Sequence, residues 1–141
     1  MYGDGILTDV RIGPAGLKLL AGMYRSIAAL AAAGIDVIVD NVIHDRRELK
    51  AVVAALADSR VLFVGLKLPQ AVTEQRERDR GDRGPGGALA FYDLVHAHAI
   101  YDLELDTALA SPLECAEQIK QAVQHGPPHR AIREMVQPLR P

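Results

Sequence analysis

The segment "EQRERDRGDRGPGG", residues 74–87, sets four arginines (Arg76, Arg78, Arg80, Arg83) among four acids (Glu74, Glu77, Asp79, Asp82) and runs into glycines. Two chemistries fit this pattern. In the first, Glu74 stands four residues before Arg78, and Asp79 four before Arg83. That order suits ion pairs on a solvated helix, each giving a few tenths of a kcal/mol. In the second, Arg76 and Arg80 project from one helical face, Gly81 frees the backbone, and Arg83 folds back toward the same point. Three guanidiniums converging there make a cage for phosphoryl oxygens, because arginine's planar fork donates paired hydrogen bonds and never deprotonates. Glycines at 81, 84, 86 and 87 would let such a cage work as a lid, and phosphoryl transfer rests mostly on positioning and charge neutralisation.

Other residue types offer less. His96 and His98 form H-x-H, but on a helical pattern i,i+2 residues diverge, so no metal pair is expected. His44 lies between a strand end and a helix start, a good place for a ligand contact, yet it reads as an ordinary loop histidine. Ser26 lacks a G-x-S-x-G frame. "GDRGPGG" is not G-x-G-x-x-G after a strand, which gives no dinucleotide site. The single cysteine, Cys115, excludes an internal disulfide and a multi-cysteine zinc site, and reads as a small apolar helix residue.

The elements that must position the arginines follow from periodicity. "GPAGLKLLAGMYRSIAALAAAG" reads as a helix with Pro14 in its first turn, Gly34 as its stop, and Leu17, Leu20, Tyr24, Ile27, Ala28 and Ala31 on one stripe. "IDVIVD", 35–40, is apolar on both alternating faces between its acidic positions, the pattern of a strand buried in a parallel sheet. "DRRELKAVVAALADS" follows as a helix, with Asp45 as N-cap and Glu48 at N3 forming a capping box. "RVLFVGLKL", 60–68, is a second buried strand. Pro69 opens a helix through the arginine run, stopped near Gly81. "GGALAFYDLVHAHA" is a fourth helix, and "YDLELDT", 101–107, a third strand nearer an edge. "SPLECAEQIKQAVQHG" carries a second capping box, Ser111 with Glu114, and Pro112 at N1. "PPHRAIREMVQPLRP" ends the chain as a short helix and tail. Strands alternating with helices specify an α/β sheet, whose ligand sites lie beyond the strands' carboxyl ends, here at Asp40-Asn41, Lys67-Leu68 and Asp106-Thr107.

The totals bound the partners. A chain of 141 residues with 49% hydrophobic content implies one domain with a real core. A net charge of -2 and 4% aromatics give no signature of nucleic-acid binding. No apolar run is long enough to span a bilayer and no signal-peptide pattern opens the chain, so a cytoplasmic protein is expected.

Three stretches carry a family resemblance: "VRIGPAGLKLLAGMYRSIAALAAAGIDVIVDNVIHD", "VLFVGLKLPQAVTEQRERDRGDRGPG" and "VHAHAIYDLELDTALASPLECAEQI". In this order, spanning nearly the whole chain to about residue 125, they resemble the chloramphenicol phosphotransferase family of P-loop kinases. The R-x-x-x-R-G-D-R run at 76–83 and the Y-D-L-E-L-D-T strand with its S-P-x-E-C-A helix are its most specific parts.

The resemblance implies an α/β, P-loop kinase-like three-layer fold with a parallel sheet. It implies a domain over 1–125 with a lid near 74–87, followed by a C-terminal helix and tail over 126–141. It also implies transfer of phosphate from ATP, with Mg²⁺, to a hydroxyl of a small molecule such as an antibiotic. By the same resemblance Arg76, Arg80 and Arg83 are lid arginines touching ATP phosphates, Asp40 lies on the Mg²⁺ or substrate side, and the loop from Thr107 to Ser111 lies where adenine packs.

The chain departs from the family in one respect. None of Lys18, Lys50, Lys67 and Lys120 is preceded by glycine and followed by Ser or Thr, so there is no Walker A loop. Tight Mg-ATP binding by this chain alone is therefore not expected. In the family the P-loop strand lies between the strands corresponding to "IDVIVD" and "RVLFVGLKL"; without it about three strands are expected. Those strands either close up or leave edges that invite pairing with another copy. A gene that starts further upstream, a truncation without activity, and a remodelled interaction module each fit these observations.

Overall fold

A computed structural model describes residues 2–3, 6–7, 12–81, 85–126 and 128–136. A two-residue antiparallel ladder opens the chain, β1 (Tyr2–Gly3) with β2 (Ile6–Leu7). Helix α1 (Pro14–Ala32) starts on its proline, whose missing N–H has no partner to lose in the first turn. It ends in a Schellman arrangement: Gly34 N–H donates to Ala31 O at 3.0 Å and Ile35 N–H to Leu30 O at 3.1 Å. Gly34 sits at φ 80°, which a residue with a Cβ would adopt only under strain.

Helix α2 (Arg46–Leu56) begins on Asp45, whose carboxylate accepts Arg47 N–H at 2.7 Å and Glu48 N–H at 2.8 Å. The expected reciprocal half of that capping box is replaced. Glu48 accepts the backbone N–H of His44, one residue before the cap, at 3.0 Å. The box at α5 (Pro112–His125) forms as its spacing requires, with Ser111 and Glu114 exchanging both bonds.

The sheet is smaller than the pattern suggests. Among the described residues the parallel part contains two strands, β3 (Val64–Lys67) and β4 (Leu103–Asp106), paired from Val64↔Leu103 to Lys67↔Asp106. Residues 35–40 are in no strand, and Ile35, Val37, Ile38 and Val39 are exposed. The reason is physical. A strand is defined by ladder hydrogen bonds, and no described segment pairs with 35–40 to supply them. The segment and β3 have not closed up on each other. Gly65 in β3 admits the ring of Tyr101: a Cβ there would sit 2.7 Å from Tyr101 Cδ2. That ring stacks on Phe63, centroids 5.1 Å apart.

The main core lies among helices rather than on the sheet. Tyr24 of α1, Leu49, Val52, Val53 and Leu56 of α2, and Ala131, Ile132 and Met135 of α6 (Ala131–Val136) form one buried cluster. Asp102 ties this cluster to the sheet. Its Oδ2 accepts Phe63 N–H at 2.9 Å, while Oδ1 accepts the N–H groups of Arg130 and Ala131 at 2.6 and 2.9 Å, capping α6. Two further helices, α3 (Gln70–Arg80) and α4 (Gly87–Val95), fill the crossover between β3 and β4. Cys115 is buried in α5, as a small apolar helix residue should be. Among the described residues, no helix is long and apolar enough to cross a membrane.

Candidate functional site

The carboxyl ends of β3 and β4 lie side by side, and the chain beyond them is held tightly. Thr107 N–H donates to Lys67 O at 2.8 Å, extending the ladder by one rung. Asp106 turns the chain by accepting Ala108 N–H at 2.8 Å. On this platform Arg76 of α3 forms two hydrogen bonds with Thr107: Nη1 to Oγ1 at 3.1 Å and Nη2 to the carbonyl oxygen at 2.6 Å. The arginine helix is thus fastened to the strand end by a guanidinium that remains exposed.

The other arginines divide. Arg78 donates to Gln75 Oε1 at 2.8 Å and lies 3.9 Å from Glu74, which is the solvated-helix chemistry of the i,i+4 pair. Arg80 ends α3 one turn beyond Arg76, just before Gly81 at φ 61°. Arg83 lies outside the described residues. Asp40 is exposed at the end of the 35–40 segment and makes no hydrogen bond to Arg76 or Thr107 among the described residues.

The arginine helix is coupled to the next helix through its acid. Glu77 accepts Gly86 N–H and Ala88 N–H, both at 2.8 Å, so its carboxylate sits at the N-terminus of α4. Negative charge is favoured there by the helix dipole. Farther along α4, Tyr92 Oη donates to Leu68 O at 3.2 Å, just past the end of β3, and the neighbouring Phe91 meets the ring of His44 edge-on at 5.1 Å. Helix α4 therefore spans from the sheet's carboxyl end to the loop that carries His44.

At that loop a buried polar cluster appears that sequence reasoning reduced to a helix cap. Glu48, with its side chain 3% exposed, accepts Tyr24 Oη at 2.6 Å, His44 N–H at 3.0 Å and the His44 ring at 3.1 Å (Nδ1). Asn41 Nδ2 donates to Tyr24 Oη at 2.6 Å. The one local signal was Tyr24 itself, since a hydroxyl on a buried stripe requires a partner.

Burial pushes the Glu48 carboxyl up, but the hydrogen bonds from Tyr24, His44 and Asn41 outweigh it and hold its pKa below the ordinary value. Burial, and then the Glu48 carboxylate, push Tyr24 well above its ordinary 10.0. His96, whose Nδ1 lies 2.7 Å from Tyr101 Oη, is lowered from 6.5 by burial and by the Lys67 ammonium.

The signs set a stability profile. A lowered carboxyl pKa stabilises the fold above the ordinary glutamate value of 4.5 and is lost as pH falls through the folded value. The lowered histidine destabilises as pH falls below 6.5. The raised tyrosine destabilises as pH rises past 10.0. The melting temperature is expected to be flat between those last two values and to fall on either side. Tyr24→Phe should remove its part of the alkaline fall, and an unchanged alkaline limb in that variant would show that Tyr24 does not cause it.

No group of three His, Cys, Asp or Glu side chains able to hold a metal occurs among the described residues. Beside β4 and α5 an open hollow of about 510 Å³ is lined by Leu103, Leu109, Ala110, Glu114 and Gln118 among others.

Comparison with known proteins gives consistent matches. The model of the family described as "Chloramphenicol phosphotransferase-like protein" matches residues 3–124. Two Mycobacterium tuberculosis proteins, from strains CDC 1551 and H37Rv and each named "Putative O-phosphotransferase", are 36% identical over 104 residues, 74% of this chain. The chain spans about half the length of these curated relatives, 46% of each.

Proposed function

Because the chain belongs to the chloramphenicol phosphotransferase-like family, we propose that it serves ATP-dependent O-phosphotransfer to a hydroxyl of a small molecule, supplying the arginine helix and strand-end platform of that site. The observation that carries this reading is the paired hydrogen bonding of Arg76 to Thr107 beyond the carboxyl ends of two parallel strands. Sites in open α/β sheets lie there, and a guanidinium held there by exposed bonds can exchange them for phosphoryl oxygens.

The donor set fits part of what a nucleoside triphosphate with Mg²⁺ requires. The nucleotide would supply the transferable phosphoryl group. Arg76, joined by Arg80 one turn on, would bind its oxygens and neutralise developing charge, with Arg83 proposed for the same role from its spacing. The Thr107 hydroxyl would orient a phosphoryl or ribose oxygen, and Asp40 would face the cation or the acceptor. The chain contains no Walker A loop, so it is expected to hold Mg-ATP loosely by itself.

The test is transfer of label from γ-³²P-ATP to chloramphenicol, a hydroxyl-bearing probe. Slow transfer is expected from the chain, reduced about 100-fold by Arg76→Ala, the size of effect found when one preorganised charge-stabilising donor is removed. No transfer by the unsubstituted chain would sink the catalytic reading. A second reading rests on the exposed apolar run at 35–42: a non-catalytic module of the same fold that associates through that edge.

A further inference from the structure

The buried cluster around Glu48 leaves one of its members half open. Glu48 receives donors on both oxygens: Tyr24 Oη on Oε1, and His44 N–H and Nδ1 on Oε2. An ionised carboxylate only accepts, so the His44 nitrogen that faces it carries the hydrogen, and when the ring carries one hydrogen Nε2 is the acceptor. The edge-on contact with Phe91 and the bond to Glu48 restrict rotation of the ring. The side chain is 30% exposed, and Nε2 makes no hydrogen bond to another described residue. An oriented imidazole with an acceptor lone pair, four residues beyond Asp40, is suited to receive a hydroxyl.

Its place in the fold connects it to the strand-end platform. Phe91 touches His44, and its neighbour Tyr92 donates to Leu68 O at the carboxyl end of β3. The first turn of the same helix is bound by Glu77 of the arginine helix. One nine-residue helix thus contacts His44, the end of β3 and the helix bearing Arg76.

We infer that His44 binds the acceptor: its Nε2 takes a hydrogen bond from a hydroxyl of the small molecule, and Glu48 is the positioning residue that fixes the Nδ1–H tautomer, with Tyr24 and Asn41 holding Glu48. This deepens the phosphotransferase reading and rests on it for the identity of the acceptor as an alcohol. It assigns the polar cluster a role beyond capping α2, which Asp45 already does.

The deciding measurement is ¹⁵N-resolved NMR of the five histidine rings, with chloramphenicol as the probe, alongside the transfer assay. The expected spectrum shows His44 as the Nδ1–H tautomer, with a mixed or reversed tautomer in Glu48→Gln. On titration the His44 Nε2 signal should shift more than those of His96, His98, His125 and His129. In the transfer assay His44→Ala should raise KM for the alcohol about tenfold with little change in kcat. His44→Gln, which returns an acceptor near Nε2, should recover part of the loss. An Nε2–H tautomer, a His44 signal indifferent to the probe, or a KM unchanged in His44→Ala would each overturn the inference while leaving the phosphotransferase reading in place. Absence of transfer by the unsubstituted chain would remove that reading, and the tautomer and the probe-induced shift would then decide the role of His44 on their own.

Discussion

Replacing Glu48 by alanine is expected to be among the most destabilising single substitutions in this chain, costing about 3 kcal/mol. The argument runs through what is left behind. Glu48 satisfies the Tyr24 hydroxyl, the His44 backbone N–H and the His44 ring within or beside the main core. Removing the carboxylate leaves buried donors without an acceptor, each costing about 1–3 kcal/mol, and opens a cavity beneath α1. Against a typical domain stability of about 5–15 kcal/mol the loss is large.

Tyr24→Phe should cost less, about 1 kcal/mol, because the carboxylate keeps its His44 bonds on Oε2 and Asn41 remains beside Oε1 at 3.4 Å. The two sites touch, so their effects should not add. A double-mutant cycle by urea denaturation should return a coupling of about 1 kcal/mol or more. Strict additivity, or a Glu48→Ala variant as stable as the parent, would mean that the cluster is not the polar centre its geometry indicates.

Much of this architecture can be read from local chemistry. Pro14, Gly34, Asp45, Ser111 and Pro112 mark helix ends through bonds that span only a few residues, and the helices start and stop there. The strands at 64–67 and 103–106 are short apolar runs that also find each other. The segment 35–40 has the same apolar character, yet composition reports only what a strand would bury, not whether a neighbour is at hand. Distance in sequence limited the site in the same way. Arg76 was visible from its spacing, whereas its bonds to Thr107 join residues 31 apart. Glu48 looked like a cap because its local partners are caps, while Tyr24 lies 24 residues away. The charge pattern alone favoured an ordinary solvated helix, and it was the family resemblance that turned the reading toward a phosphate lid.

The unpaired segment yields the second large effect, on assembly. Ile35, Val37, Ile38, Val39 and Val42 are exposed, Ile38 at 99%, on a segment outside helix and strand that pairs with no described strand. Among the described residues β3 pairs on one side only, with β4. Such a run is expected to pair with a second copy, and sedimentation velocity should show dimers or larger species that grow with protein concentration.

The charges shape how this happens. Antiparallel self-pairing centred on Ile38 sets Asp36 opposite the partner's Asp40, and like charges across a ladder are unfavourable. Added salt should therefore strengthen the association by screening that repulsion. Ile38→Lys adds a charge to the most exposed position and removes no packed side chain. It should return the protein to a monomer whose melting temperature matches that of the parent at dilutions where the parent is monomeric. A parent chain that stays monomeric at every concentration and salt level would remove the association reading. Self-association abolished by Ile38→Lys but not by Arg76→Ala would separate the edge from the phosphate-binding face, because the two substitutions act on different sides of the chemistry proposed for this chain.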